Sequence, residues 1–132
     1  MNENERQSFA CGVLSRLNEA VIPVRRPARI GPWQPVRHSC HENVAFWVRM
    51  KPEHKHVIGF LVFDMSPFGH MKIAAHSLVE IEDGTLVDIT PHGAEADYPF
   101  VRHIGTHKEF SAMVAAVETD VPLAALPCLS RG

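Results

Sequence analysis

The pair Asp83-Gly84 sits between two runs whose residue types suit a β-sheet and little else. Before it stands Ala74-Ala-His-Ser-Leu-Val-Glu-Ile-Glu, and after it Thr85-Leu-Val-Asp-Ile-Thr. An Asp-Gly pair supplies the positive φ values that a tight primed turn requires, so the two runs are expected to form a hairpin. A third run, residues 56 to 64, His-Val-Ile-Gly-Phe-Leu-Val-Phe-Asp, is equally rich in β-branched and aromatic residues. Antiparallel strands are therefore expected over about residues 56 to 89.

Helical patterns flank this sheet. From Glu5 to about Val21 the apolar residues Phe9, Val13, Leu14, Leu17, Ala20 and Val21 recur at spacings of three and four, and Pro23 ends the pattern. Residues 22 to 38 contain Pro23, Pro27, Pro32 and Pro35 and read as an extended loop. A second helix is expected over about 40 to 51. Ser39 with Glu42 three residues later matches a capping box, Val44, Phe46, Trp47, Val48 and Met50 suit burial against a sheet, and Pro52 stops it. A third pattern, with Phe110, Met113, Val114 and Val117, predicts a helix over about 107 to 118. The fold class is α+β, a helix followed by an antiparallel sheet, in one domain spanning residues 1 to 132.

At 132 residues and 45% hydrophobic content the chain suits one core. With 13 Lys plus Arg against 15 Asp plus Glu, mixed in sign, nothing draws it toward nucleic acid. No run approaches a membrane span and the start is polar, so a soluble, cytoplasmic protein without membrane attachment is expected. Cys11, Cys40 and Cys128 are widely spaced and contain no C-x-x-C pair. Reduced thiols are expected, with neither a disulfide framework nor a structural zinc knuckle. No cofactor is implied, and the oligomeric state is not legible.

Cys40 at a helix start, His76 in one strand and Asp88 in the next can meet at one place. His76 lies seven residues before Asp83 and Asp88 four after Gly84, so the register is offset and approach requires a bulge or a diagonal pairing. The chemistry demands such a meeting, because a free thiol is mostly protonated at neutral pH and the thiolate is the nucleophile. Helix N-terminal amides and an adjacent imidazolium both favour the thiolate, and a carboxylate behind the imidazole orients it. The same amides can hold an oxyanion.

These residues resemble the papain-like and transglutaminase-like thiol enzymes. The resemblance rests on Cys40 opening a helix, His76 in His-Ser-Leu-Val-Glu, and Asp88 in Gly84-Thr-Leu-Val-Asp-Ile-Thr-Pro, and it covers residues 34 to 91. The chain departs from the pattern at His41, where an aromatic residue is usual. The resemblance implies a papain-like or transglutaminase-like core and a Cys40-His76-Asp88 triad. It also implies an oxyanion glutamine, for which Gln34, six residues before Cys40, stands in place. The implied activity is hydrolysis or acyl transfer on an amide, ester or thioester, with a small-molecule or peptide substrate.

Two other readings use the same residues. A non-catalytic binding domain would keep this layout with the loop of residues 22 to 38 sealing the cleft. A zinc site could instead draw on Cys40, His41, His38, His76 and Asp88, although neighbours on a helix point about 100° apart and make awkward joint ligands. His103 and His107 have the spacing of helix-borne ligands, but Gly105 lies between them and a loop is expected. Asn43 reads as structural and Trp47 as core.

Overall fold

The structure is a computed structural model that describes residues 2–91, 97–110 and 119–122. Its centre is a long antiparallel pair, β2 (Lys55–Met65) and β3 (His70–Glu80), registered from Lys55 opposite Glu80 to Met65 opposite His70. β3 begins four residues earlier than expected. The reason is that His70 and Lys72 alternate with buried Met71 and Ile73, so the period-two pattern continues back to the turn. That turn is a short 3-10 segment, Ser66–Phe68, closed by Gly69 at φ 85°.

β4 (Leu86–Asp88) pairs with the far end of β3, Val79 opposite Val87 and Glu80 opposite Leu86. Three strands were not anticipated. β1 (Val24–Arg25) lies within the expected loop and pairs in parallel with β4, placing Arg25 opposite Asp88. β5 (Phe100–Arg102) borders β2 over Gly59 to Leu61, and β6 (Thr119–Pro122) borders the start of β3 over His70 to Ile73. These strands are too short to announce themselves by periodicity, and they exist because β4, β2 and β3 offer edges to complete. The strand order is β1-β4-β3-β2-β5, with β6 beside β3.

α1 spans Glu3–Leu14, capped by the Asn2 side chain, and stops seven residues short of its expected end. A 3-10 turn, Leu17–Glu19, follows. Leu17 and Val21, which continued the apolar pattern, are in fact exposed, and Val21 instead bridges to Phe100. α2 spans Cys40–Met50 as expected. Residues 107 to 110 are helical, while 111 to 118 of the third expected helix lie outside the described residues.

Both helices cover one face of the sheet. Ala10, Val13 and Leu14 of α1 pack with Ile58, Phe60, Val62, Met71, Ile73 and Val101, and Val44 of α2 packs with Val79, Val87 and Ile89. Met71, Ile73 and Val79 share one parity in β3 and therefore one face. Val57, Leu61, Leu78, Leu86 and Phe100 form the cluster on the other face. Cys11 in α1 is disulfide-bonded, which corrects the expectation of reduced thiols, since separation along the chain says nothing of separation in space. Among the described residues Cys40 is the free thiol. Among the described residues no helix is long and apolar enough to cross a membrane.

Gly59 sits where β5 crosses closest to β2. A Cβ there would lie 2.3 Å from the Val101 carbonyl oxygen and 2.6 Å from the Phe100 ring. Backbone cannot yield as a flexible side chain does, so Gly59→Ala is expected to cost about 2 kcal/mol or more, read as a lowered urea midpoint.

Candidate active site

The approach to α2 is held by Asn43 rather than by the expected cap. Its amide nitrogen donates to the Val36 carbonyl at 2.7 Å and to the Thr90 hydroxyl at 3.1 Å, and its carbonyl oxygen accepts from the Val36 amide at 3.0 Å. One buried side chain thus ties the proline-rich loop, α2 and the end of β4 together. Between Val36 and the helix, His38 is left-handed at φ 66°, a conformation that costs a non-glycine residue about 1 kcal/mol. Ser39, with φ −124° and ψ 44°, makes no side-chain cap, so the Ser39-Glu42 capping box does not form. The first amides of α2 are consequently left without that side-chain acceptor.

The offset between His76 and Asp88 is resolved by the turn. Gly84 N–H donates to the Ile81 carbonyl at 2.9 Å and Ile81 N–H to the Thr85 carbonyl at 3.0 Å, with Gly84 at φ 89°. The connection is therefore a three-residue loop centred on Asp83, not a two-residue primed turn. In the resulting register Asp88 falls two positions from the residue facing His76, on the same face of the sheet and diagonal to it. His76 Nε2 meets Asp88 Oδ2 at 2.8 Å, with both residues buried. Asp88 Oδ1 accepts from the Thr90 amide at 3.1 Å, which fixes the carboxylate as β4 ends.

Cys40 reaches this pair at a break in the sheet. One edge of β3 pairs with β6 over residues 70 to 73 and with β4 over 79 and 80; among the described residues no strand covers 74 to 78 there. The start of α2 occupies that opening, so consecutive residues reach opposite faces of β3. Cys40 is partnered by His76, while His41 Nδ1 lies 2.6 Å from the Ser77 hydroxyl on the α-helical side. Cys40 is partly buried.

Burial opposes ionisation of the Cys40 thiol. Hydrogen bonding from His41 and His76, together with their charge, outweighs it and lowers the pKa from 9.0 to about 6. Burial likewise disfavours the His76 imidazolium, but the hydrogen bonds to Asp88 and Cys40 and the two negative charges raise it from 6.5 to about 9. Between those values the resting pair is a thiolate beside an imidazolium. His41 is raised chiefly by its hydrogen bond to Cys40.

Gln34 is placed differently. It is exposed and lines a cavity of about 390 Å³ that Asp88 also borders, together with Arg25, Arg26 and Thr90, but neither Cys40 nor His76 lines it. Among the described residues no group of three His, Cys, Asp or Glu is arranged to hold a metal ion. Ser77 and His56 are the site residues that sequence reasoning does not find, and His41, which the sequence offers beside Cys40 only as an awkward metal ligand, joins them. Ser77 shows itself only once strand parity is known. No family model matches the chain, and no curated protein or solved structure matches it either.

Asn43→Ala removes three hydrogen bonds, two of them part-buried and one buried, an expected loss of roughly 3 kcal/mol by denaturant titration. The ion pair also makes a pH prediction. Between about 6.5 and 9 the folded pair carries one proton, on His76, and the unfolded pair carries one, on the cysteine, so the pair adds almost no pH dependence to stability. In Cys40→Ser only the folded His76 binds the extra proton. The contribution is then full below pH 6.5 and declines as pH rises through the folded pKa of His76, which Asp88 still holds up. Melting temperatures across this range should be flat for this pair in the wild type and fall with pH in the variant.

Proposed function

We propose that this protein is a thiol hydrolase or acyltransferase acting on an amide, ester or thioester through Cys40, His76 and Asp88. The observation that carries this reading is the 2.8 Å bond from buried His76 to Asp88, made by the same imidazole that supports the Cys40 thiolate. Helix, strand and strand supply the three residues in the order of papain-like and transglutaminase-like thiol enzymes, and we assign the core to that kind. Cys40 is partly rather than fully buried, which favours turnover over a sealed binding domain.

In this mechanism the Cys40 thiolate attacks the carbonyl carbon. A C–S bond forms, and the carbonyl π pair moves to oxygen, which takes hydrogen bonds from the uncapped amides opening α2. The His76 imidazolium gives its proton to the leaving nitrogen, oxygen or sulfur, that bond breaks, and a thioester remains on Cys40. Water or an acceptor then loses a proton to His76 and attacks the thioester, releasing the thiolate. Asp88 holds the ring in place and stabilises its charged form throughout. The cavity beside Asp88 that Gln34 lines is where part of a small-molecule or peptide substrate would lie.

Alkylation by iodoacetamide measured across pH tests the thiol directly. The reaction should rise with a midpoint near 6 in the wild type, and His76→Ala should move that midpoint upward. A wild-type midpoint near 9, unaltered by His76→Ala, sinks the proposal.

A further inference from the structure

We propose that Cys40 is served by a second histidine, His41, and that Ser77 and His56 are the positioning residues that hold His41 in the right tautomer for this role. The inference deepens the thiol-enzyme reading and rests on it. Its starting point is a chain of hydrogen bonds on the face of β3 away from Asp88. His41 Nδ1 lies 2.6 Å from Ser77 Oγ, and Ser77 Oγ lies 2.8 Å from His56 Nε2. Ser77 is wholly buried and both imidazoles are half-buried, so water does not readily replace these contacts.

A serine hydroxyl has one proton to give and lone pairs to receive, so the chain must run in one direction. The charged form of His41 decides which: its pKa is raised chiefly by the hydrogen bond to Cys40, and once charged it carries a proton on each nitrogen, so Nδ1–H donates to Ser77 Oγ. The Ser77 hydroxyl then donates to His56 Nε2, which can accept because burial, followed by the charges of His107 and His41, lowers the His56 pKa to about 4 and leaves it neutral with its proton on Nδ1. His41 Nε2 is left as the atom that faces Cys40 and exchanges a proton with it.

The exchange balances simply. The Cys40 S–H bond breaks, the electron pair stays on sulfur, and the proton forms an N–H bond at His41 Nε2. The Phe110 ring, 5.7 Å from the His41 ring and edge-on to it, confines the imidazole on its remaining side. Charged and titratable groups around His41 are Cys40 and Glu42 on α2, His76 on β3 and His56 on β2, with His107 beyond His56. The arrangement divides the labour. His76 spends its proton on the leaving group, and His41 keeps the sulfur anionic when His76 is neutral.

The test reads the thiol alone and needs no substrate. Iodoacetamide midpoints are compared for the wild type, Ser77→Ala, His56→Leu, His56→Gln and His76→Ala, with thermal melts confirming that each variant is folded. Ser77→Ala and His56→Leu are expected to raise the midpoint by about one pH unit, a tenfold change in the thiolate-to-thiol ratio. His56→Gln restores an acceptor for the Ser77 hydroxyl and should return the midpoint toward the wild type. Nitrogen-15 spectra of the histidine rings give a second readout: His41 should carry its proton on Nδ1 when neutral and lose that preference in Ser77→Ala. Midpoints and tautomer unchanged in Ser77→Ala and His56→Leu, while His76→Ala still shifts the thiol, would overturn this inference and leave the triad intact. A wild-type midpoint near 9 would instead remove the triad and the inference together.

Discussion

The antiparallel ladder between β2 and β3 is the constraint on which everything else in this protein depends. It runs without a bulge from Lys55 opposite Glu80 to Met65 opposite His70, so the parity of each residue decides its face along the full length. One face takes α1 and α2, the other takes Leu61, Leu78 and Phe100, and the edges take β1 with β4, β5 and β6. A slip of one residue would exchange His76 with Ser77. Asp88 would lose its imidazole, and His41 would lose its hydroxyl.

The site uses a defect in that regularity. Because, among the described residues, β4 and β6 each cover only part of one edge of β3, the stretch around His76 and Ser77 is left for the start of α2. Cys40 and His41, about 100° apart on the helix, can then address the two faces of one strand. A thiolate in a partly buried site is disfavoured by desolvation. It is sustained here because two imidazoles surround it, one backed by a carboxylate and one by a serine whose own partner stays neutral. Local strain at His38 and a helix start without a side-chain cap are held in place by Asn43, whose three hydrogen bonds connect the loop, the helix and the segment after β4.

Much of the frame was legible in the residues. The β-branched runs located the central strands, Pro52 and the apolar run after Cys40 located α2, and Asp83-Gly84 located the turn. What failed did so for local reasons. Leu17 and Val21 match helical spacing but find nothing to pack against, so α1 ends early. Ser39 and Glu42 match a capping box, but Ser39, directly after the left-handed His38, has φ −124° and ψ 44° rather than the extended backbone of a capping residue. Two-residue and three-residue loops share the Asp-Gly signature, and only the second sets His76 and Asp88 on a diagonal.

By itself the sequence determined the α+β class, the chain order of cysteine, histidine and aspartate, and the elements that carry them, because periodicity and turn chemistry are local properties. Tertiary structure decided the rest: which edge of β3 stays open, that Cys11 is bonded and Cys40 free, that Gln34 lies on the Asp88 side, and that His41, Ser77 and His56 join the site. Each of these depends on register and on contacts between residues far apart in the chain. Spacing along a sequence does not encode such distances until the strands have paired.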